Sequence, residues 1–480
     1  MPVPQFPSRE WPRPALLTLT VATATTLLLV PARAASAVTP PAQADPAATA
    51  LPGHAAAGTP ANVAVDSAGV GRVDTGFAGF SYEKDRVGAG MFNTQDTSLV
   101  QLFQLLGSSV LRVGGNLGDI VNWNAGGPGG SAEEIAPADV TKLAGFLHAT
   151  HWKVIYGINL KTNTAANAAS EAQFAAKALG SSLLAFEIGN EPNFYTTESG
   201  YEASYNAYVS AIKAKVPGAV FDGPGGGDST SWAASFASHE KNNSLAILST
   251  HLYIGKNTTG TIPGMLASND SGRLPNAESA MAGAASAGGA PVWRMTEANS
   301  YYDGGTAGVS NVEAASLWSL DFMAGVAAHG GAGVNFHGGT STQFPLNYSP
   351  IAYSGLTPTG VQGVYYGELL WELGGTGTFH KAAATGATGV TAWGIGNNVF
   401  VNNRSAAPIK ATVTLRSAVR NAREYLLTAP SPASTAITVA GSGVDARGTF
   451  SPSPKSVKVT GGRTVVVNLP ADSVALIVDK

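Results

Sequence analysis

Between residues 79 and 372, short apolar runs and segments with helical spacing alternate eight times, and that rhythm limits the fold more than anything else in the chain. Strands are expected at 79–83, 109–115, 153–160, 183–190, 219–223, 245–253, 291–297 and 333–337. Each is followed by a helix-period segment, at 97–106, 138–151, 165–179, 201–216, 231–239, 277–287, 312–329 and 362–372. A strand followed by a helical crossover sets the next strand parallel to the first. Eight such units in roughly 300 residues predict an α/β fold, a (β/α)8 TIM barrel, over an open doubly wound sheet. Gly225, Gly226 and Gly227 follow the expected fifth strand, but no GxGxxG or GK[ST] pattern accompanies them. They are read as a loop and not as a phosphate cradle.

In such a barrel, chemistry sits at the C-terminal ends of the strands. The fourth run ends Phe186-Glu187-Ile188-Gly189-Asn190-Glu191-Pro192, an apolar strand that delivers an acid and is stiffened by a proline. The seventh runs Trp293-Arg294-Met295-Thr296-Glu297, so Glu297 is expected at its end. Strands three apart in a ring of eight face each other across the mouth. Two carboxyl groups so placed suit cleavage of a glycosidic bond, in which one donates a proton and the other attacks or activates water. The layout permits the roughly 5–5.5 Å separation of a retaining mechanism and leaves inversion open. Glu191 is expected to act as the acid and Glu297 as the nucleophile, with Asn190 on a sugar hydroxyl near the reacting carbon. Partial burial and the charge on Glu297 should raise the acid's pKa, which predicts an acidic activity optimum. Glu187, an even number of residues before Glu191, is expected deeper in the barrel as a supporting acid.

Other side chains are expected around the mouth. Glu83 ends the first strand and is placed to accept bonds from distal sugar hydroxyls. Asp119 follows the second strand, as a sugar contact or a solvated loop acid. Tyr253 ends the sixth strand, to orient Glu297 by a hydrogen bond or simply to pack. Tyr348 lies beyond the eighth strand, closing over the sugar or its carboxylate, or packing in its loop. His251 and His337 also end strands. With a carboxylate they would make a metal site, but no HxH or HExxH pair supports one. No metal and no cofactor is expected, and the two imidazoles are assigned to shaping the pocket.

Charged residues make up 12% of the chain and the formal net charge is −3, so no basic face for nucleic acid is expected. There is no cysteine, hence no disulfide, thiolate nucleophile or cysteine metal site. Arg9 and Arg13 precede an apolar, threonine-rich stretch over 15–30, followed by Ala32-Arg33-Ala34 and Ala35-Ser36-Ala37. That pattern predicts a secretory signal peptide over 1–37, not a membrane anchor, and a secreted chain without stable membrane insertion after cleavage. Residues 38–60, rich in proline and alanine, read as a disordered linker. Residues 61–74 are expected to supply an N-terminal strand to a β-domain, 75–374 the barrel and 375–480 the β-domain itself. Strand-like runs at 389–395, 409–415, 456–459, 463–469 and 474–478 between Gly, Pro and Ser turns predict an antiparallel β-sandwich there. With no aromatic platform evident, it is expected to be a structural companion of the barrel and not a carbohydrate-binding module. No pattern specifies an oligomeric state.

The strand end Gly189-Asn190-Glu191-Pro192 resembles the fourth-strand Asn-Glu-Pro motif of clan A retaining glycosidases. Thr296-Glu297-Ala298-Asn299-Ser300-Tyr301-Tyr302 and Gly333-Val334-Asn335-Phe336-His337-Gly338-Gly339 resemble more specifically glycoside hydrolase family 79, which contains β-glucuronidases and heparanases. The similarity extends over the whole order after the linker, barrel first and sandwich second. It implies that Glu191 is the general acid/base, that Glu297 is the nucleophile and that Asn190 touches the 2-hydroxyl of the sugar in the −1 subsite. It also implies that a uronate carboxylate is held by Tyr302 and by backbone N–H groups just beyond it, at Asp303, Gly304 and Gly305. A neutral phenol and exposed amides bind a carboxylate without an arginine. Asp303 departs from the family's pattern. A glycine there leaves more room, and only the backbone N–H of Asp303 can help, because its carboxylate repels a uronate.

The resemblance thus implies an exo-acting β-glucuronidase on a carbohydrate that ends in β-D-glucuronic acid, with or without a 4-O-methyl group. The alternative within the clan is a neutral-sugar activity (xylosidase, arabinofuranosidase or glucosidase), decided by whether Tyr302 faces C5 of the sugar. Heparanase-like endo-cleavage is disfavoured by the scarcity of Lys and Arg for a basic groove. A non-catalytic carbohydrate-binding protein is disfavoured because both acids are present.

Overall fold

The computed structural model describes residues 58–341 and 343–479. The expected signal peptide, and the expected linker as far as residue 57, lie outside the described residues. Residues 59 and 60, expected in the linker, instead belong to the strand Thr59–Val65.

Eight parallel strands form the barrel: β1 Ala78–Glu83, β2 Val110–Gly114, β3 Lys153–Ile158, β4 Leu183–Ile188, β5 Phe221–Gly227, β6 Leu245–Lys256, β7 Val292–Tyr302 and β8 Val334–Gly338. They pair in chain order, and β8 returns to β1 through Val334–Gly338 against Ala78–Tyr82, which closes the ring. The helices that follow them are α1 Thr97–Leu105, α2 Pro137–Thr150, α3 Ala165–Leu179, α4 Glu198–Lys215, α5 Ala233–Glu240, α6 Arg273–Gly288, α7 Glu313–Ala328 and α8 Gly363–Leu373. Side-chain caps start several of them. Asp96 accepts from the Leu99 N–H, Thr164 from Asn167 and Thr197 from Gly200. Each cap satisfies a donor that the helix itself leaves unpaired. Helices cover the outer face of the strands and side chains fill the inner one, so every residue of β2 is buried, Arg112 included.

Strands β5, β6, β7 and β8 overrun their expected ends, β5 and β7 by the most. β5 takes in Gly225, Gly226 and Gly227, all buried, in place of the expected loop. Glycine carries no side chain to register in a hydropathy pattern, yet here the strand needs its absence. A Cβ on Gly227 would lie 2.5 Å from the Glu191 carboxyl carbon. β7 continues five residues past Glu297, which therefore lies within the strand and not at its end. The overrun is polar but internally satisfied. Asn299 Nδ2 donates to the carbonyls of His337 at 2.9 Å and Tyr348 at 3.0 Å, and Ser300 Oγ to Ser310 Oγ at 2.8 Å.

Apart from two two-stranded ribbons, Asn122–Trp123 with Glu134–Ile135 and Ile351–Ser354 with Thr357–Val361, the remaining strands form one curled sheet with a core of its own, built from residues such as Val63, Val401, Val413, Val467 and Ile477. Its strands Thr464–Leu469 and Ile409–Thr414 alternate buried and solvent-facing positions. The strand Thr59–Val65 lies inside this sheet, antiparallel to Gly377–Thr385 and parallel to Ile409–Thr414. That parallel pair is the exception among antiparallel pairs. Strands Gly377–Thr385, Asn398–Asn403 and Ala422–Thr428 were not among the expected runs. Trp371 of α8 packs against Phe379, Trp393 and Phe400 of the sheet, at ring separations of 5.9–6.5 Å, so the barrel's last helix is also part of the seam between the two.

Candidate active site

Beyond β4 the chain turns sharply to present Glu191. Gly189 has φ +81° and Glu191 itself φ +47°, in the left-handed region that a non-glycine residue rarely adopts. Such a conformation costs about 1–3 kcal/mol and persists where the surroundings over-determine it. They do so here. The Glu191 N–H donates to the Gly225 carbonyl at 3.0 Å, and the Phe194 N–H donates to the Glu191 carbonyl at 3.0 Å. The Asn190 N–H donates to Asp119 Oδ2 at 3.0 Å.

Arg112, fully buried on β2, organises the floor. Its Nε donates to Glu187 Oε2 at 2.6 Å, Nη1 to Glu297 Oε2 at 2.7 Å and Nη2 to Asn190 Oδ1 at 2.8 Å. The rigid guanidinium fork therefore fixes residues of β4 and β7 relative to one another. Glu297 takes a second bond on Oε1 from the Tyr253 hydroxyl at 2.8 Å. His251 stands between two acids, with Nδ1 3.3 Å from Glu191 Oε1 and Nε2 3.7 Å from Glu187 Oε1. Thr296 Oγ1 donates to Glu187 Oε1 at 3.1 Å. His337 Nδ1 lies 3.2 Å from Ser81 Oγ and 3.5 Å from Glu297 Oε2.

One oxygen of Glu191, one nitrogen of His251 and one oxygen of Glu297 all lie within 4.8 Å of one another. The two carboxyl groups thus stand at close range across the mouth. Those three residues would also be the ones to hold a divalent cation. An incoming cation, however, would meet Arg112 on Glu297 and a His251 that burial would deprotonate but the charges of Glu297, Glu187 and Glu191 push up to about 9. Metal ligation needs a neutral imidazole, so the donor set fits a cation poorly.

The environment drives the two acids apart. Burial, then the negative charge of Glu297, raises Glu191 above the usual carboxylate range, against the opposing pull of His251. Burial would raise Glu297 as well, but positive charge on His337, His251 and Arg112, with the Tyr253 hydrogen bond, holds it well below that range. Burial pushes His337 itself down, so near neutrality Arg112 and His251 carry most of that effect. The environment thus favours the proton on Glu191 and the charge on Glu297, the division of roles that general-acid and nucleophilic chemistry requires.

The other expected residues divide into groups. Asn190 is buried, and with Oδ1 bonded to Arg112 its NH2 is the group left to donate. Glu83 takes the N–H groups of Asn116 and Leu117 at 3.2 and 2.7 Å, and burial with the nearby Glu297 pushes it up to about 8. Tyr348 is buried beside Tyr253 and His337, with ring separations of 6.1 and 5.9 Å. Tyr302, half-buried, ends β7 with its ring edge-on to Tyr253 at 6.4 Å. Beyond it Asp303, Gly304 and Gly305 all have positive φ, and their carbonyls accept from Asn257, Tyr348 and Asn347. The loops after β6, β7 and β8 are thereby laced together.

Asp119 corrects the expectation of either a sugar contact or a solvated loop acid. It is 3% exposed, and its carboxylate accepts from the N–H groups of Leu160 and Asn190 and from the Tyr195 hydroxyl at 2.9–3.0 Å. It braces the turn that carries Glu191. Arg112 and Ser81 were missed from the sequence. The available signal for Arg112 was a lone cation in an apolar strand, between Leu111 and Val113 that face the other way.

No protein-family model matches the chain, and no curated protein matches it. Among solved structures, a 4-O-α-L-rhamnosyl-β-D-glucuronidase from Fusarium oxysporum 12S superposes with a TM-score of 0.71 at 20% identity, over 87% of this chain and 99% of that one. A family 51 α-L-arabinofuranosidase from Bifidobacterium longum gives 0.66 at 17% identity, over 87% and 99%. An α-L-arabinofuranosidase from Thermotoga maritima gives 0.65 at 13%, over 88% and 100%. These likenesses show the shared fold, a barrel with its sheet domain.

Proposed function

We propose that the chain is a retaining glycoside hydrolase of the clan A type, acting on terminal β-D-glucuronic acid. The observation that carries the reaction type is the pair Glu191 and Glu297, with carboxyl oxygens within 4.8 Å and pKa values driven in opposite directions. That range suits direct attack on the sugar, whereas an inverting pair stands roughly 6.5–9.5 Å apart to admit a water. Glu191 protonates the leaving oxygen while Glu297 attacks the anomeric carbon. The C–O bond to the leaving group breaks and a glycosyl–Glu297 ester forms. Glu191, now a carboxylate, takes a proton from water, which attacks the same carbon and regenerates Glu297. Arg112 and Tyr253 hold Glu297 ionised and aimed, and Asn190 offers its NH2 to the adjacent hydroxyl.

Support for the uronate is the turn after β7. Its carbonyls are taken up by neighbouring loops, which fixes the backbone of Asp303, Gly304 and Gly305 next to Tyr302, and backbone N–H groups in successive positive-φ residues suit an anion. The fold's likeness to a structure described as a rhamnosyl-β-D-glucuronidase points the same way. A carbohydrate substrate also accords with the secreted location that residues 1–37 lead one to expect.

The test is a panel of 4-nitrophenyl β-D-glucuronide, β-D-glucoside, β-D-xyloside and α-L-arabinofuranoside, with the first-formed anomer followed by proton NMR. The glucuronide should give the highest kcat/KM and release the β-anomer first. A higher value on a neutral sugar would overturn the uronate preference, and release of the α-anomer would overturn retention.

The pH dependence of kcat/KM follows from the two carboxyls. Glu191 must be protonated, so activity falls as pH rises through its raised pKa. Glu297 must be ionised, so activity survives to a pH below the usual carboxylate range before it falls. The expected profile is a bell with its maximum on the acid side of neutrality. A profile flat from acid to alkaline pH would refute the assignment.

A further inference from the structure

We propose that Asp228, held by Arg273, is a positioning residue: its carboxylate takes the place of the strand that β6 lacks beyond His251, and so aims His251 at Glu191 and Tyr253 at Glu297. The inference rests on the glycosidase reading above and extends it to a charged pair outside the reacting centre.

The need for such a residue lies in the strand pairing. β6 runs from Leu245 to Lys256, but its pairing with β5 ends at Gly227 opposite His251. Both contacts that β6 makes with the acids sit at or past that limit. His251 Nδ1 lies 3.3 Å from Glu191 Oε1, and the Tyr253 hydroxyl donates to Glu297 Oε1 at 2.8 Å. The register also shifts there, between Ser249 and Thr250 against β5 and between Thr250 and His251 against β7. Such irregularities re-aim side chains, so the ladder alone does not fix how these two point. A backbone N–H left without an acceptor at such an edge is costly. Asp228 supplies what is missing. Its N–H donates to the His251 carbonyl at 3.0 Å, and its Oδ1 accepts from the Tyr253 N–H at 3.2 Å. Its φ of +53°, which aspartate tolerates better than most residues, turns the backbone away and leaves the side chain alongside β6.

Arg273, the first residue of α6, keeps that carboxylate in place. Its Nη2 donates to Asp228 Oδ1 at 2.7 Å and to the Asp228 carbonyl at 3.2 Å. Thr250 Oγ1 meets the carbonyls of Gly226 and Ser229 at 3.0 Å each, so the turn is tied on both sides of Asp228. The clasp also stands close to the acid. Gly227, on which a Cβ would lie 2.5 Å from the Glu191 carboxyl carbon, directly precedes Asp228. Burial acts most strongly on Glu191, followed by His251 of β6, Glu297 of β7 and Asp228. Arg112 of β2 and Glu187 of β4 stand behind His251. The charge of Asp228 favours protonated Glu191, and that of Arg273 opposes it. Removing the partners one at a time should therefore move the acid in opposite directions.

The first measurement is a double-mutant cycle on the 2,4-dinitrophenyl glycoside, which needs no acid and so reads the aim of Glu297. Asp228→Ala should lower kcat/KM about tenfold, and Asp228→Asn, which keeps an oxygen for the Tyr253 N–H, by less than about threefold. In a Tyr253→Phe background Asp228→Ala should cost less than about threefold, because the bond through which it acts is gone. Equal losses in Asp228→Ala and Asp228→Asn, or a further tenfold loss in that background, would overturn the positioning role. The second measurement is the alkaline limb of kcat/KM on a phenyl glycoside. Asp228→Asn should move it to lower pH and Arg273→Gln to higher pH, each by about half a unit, with Arg273→Lys near wild type. Limbs that move the same way, or not at all, would overturn the clasp. Wild type that cleaves no glycoside overturns the glycosidase reading instead. Titration of the Glu191 carboxyl by carbon-13 NMR in the same variants, assigned by its loss in Glu191→Gln, then still decides whether the pair governs that acid.

Discussion

Replacing Glu297 with alanine is expected to lower kcat/KM on an aryl glycoside by on the order of 10⁴-fold or more, the scale seen when a covalent nucleophile is removed. The size follows from how completely the site is built around that carboxylate. Tyr253 donates to one oxygen and Arg112 to the other, and both donors are themselves buried. Without the carboxylate, the water that must replace it has no base below the sugar, because Glu187 is tied to Arg112 and Thr296. The variant leaves a vacancy at the nucleophile's position. Sodium azide should occupy it and attack in a single displacement, so a β-glycoside should yield the α-glycosyl azide. Removing one partner of a buried ion pair can cost about 3–5 kcal/mol of stability, so loss of folding must be separated from loss of chemistry. Glu297→Gln does this. It keeps the shape and an acceptor for Arg112, and should melt near wild type while remaining as inactive as the alanine variant. Turnover of Glu297→Gln within tenfold of wild type would sink the assignment.

The barrel was legible because strand and helix differ in period, and eight repeats leave few other folds. What escaped detection was what period cannot encode. The glycines of β5 carry no side chain, so a strand made of them reads as a loop, although its purpose is to leave room for Glu191. The end of β7 reads as a stop because Asn299 and Ser300 are polar, yet each is bonded within the structure. Strand Asn398–Asn403 buries Asn402, whose Nδ2 donates to the Leu317 carbonyl at 3.0 Å, and so breaks the apolar alternation by which it would be found. The site was legible in its acids, since an apolar run that ends in Asn190-Glu191-Pro192 has few uses. It was not legible in its charge balance. Arg112, which joins Glu187, Asn190 and Glu297, lies more than 70 residues before the nearest of them. A lone arginine in an apolar strand signals a buried partner without naming it. Asp119 shows the converse. Its loop position suggested an exposed ligand, whereas two backbone N–H groups and a tyrosine claim its oxygens.

Glu191→Ala is expected to behave in a way that no other variant of the site shares. On a glycoside with a poor leaving group, kcat/KM should fall about 10²–10⁴-fold, the range for loss of a positioned general acid. On the 2,4-dinitrophenyl glycoside, whose leaving group departs without a proton, kcat/KM should stay close to wild type. There kcat should fall, because no base remains to activate the water that cleaves the Glu297 ester. KM should fall with it as the glycosyl–enzyme accumulates. Azide, which needs no general base, should restore kcat by attacking that ester, and two displacements should give the β-glycosyl azide. The alkaline limb of the pH profile should vanish with the group that produces it. The two variants thus return opposite anomers from one substrate and one nucleophile. Exchange of the assignments between Glu191 and Glu297 would reverse the outcome, and a supporting role for either would yield no azide product from that variant.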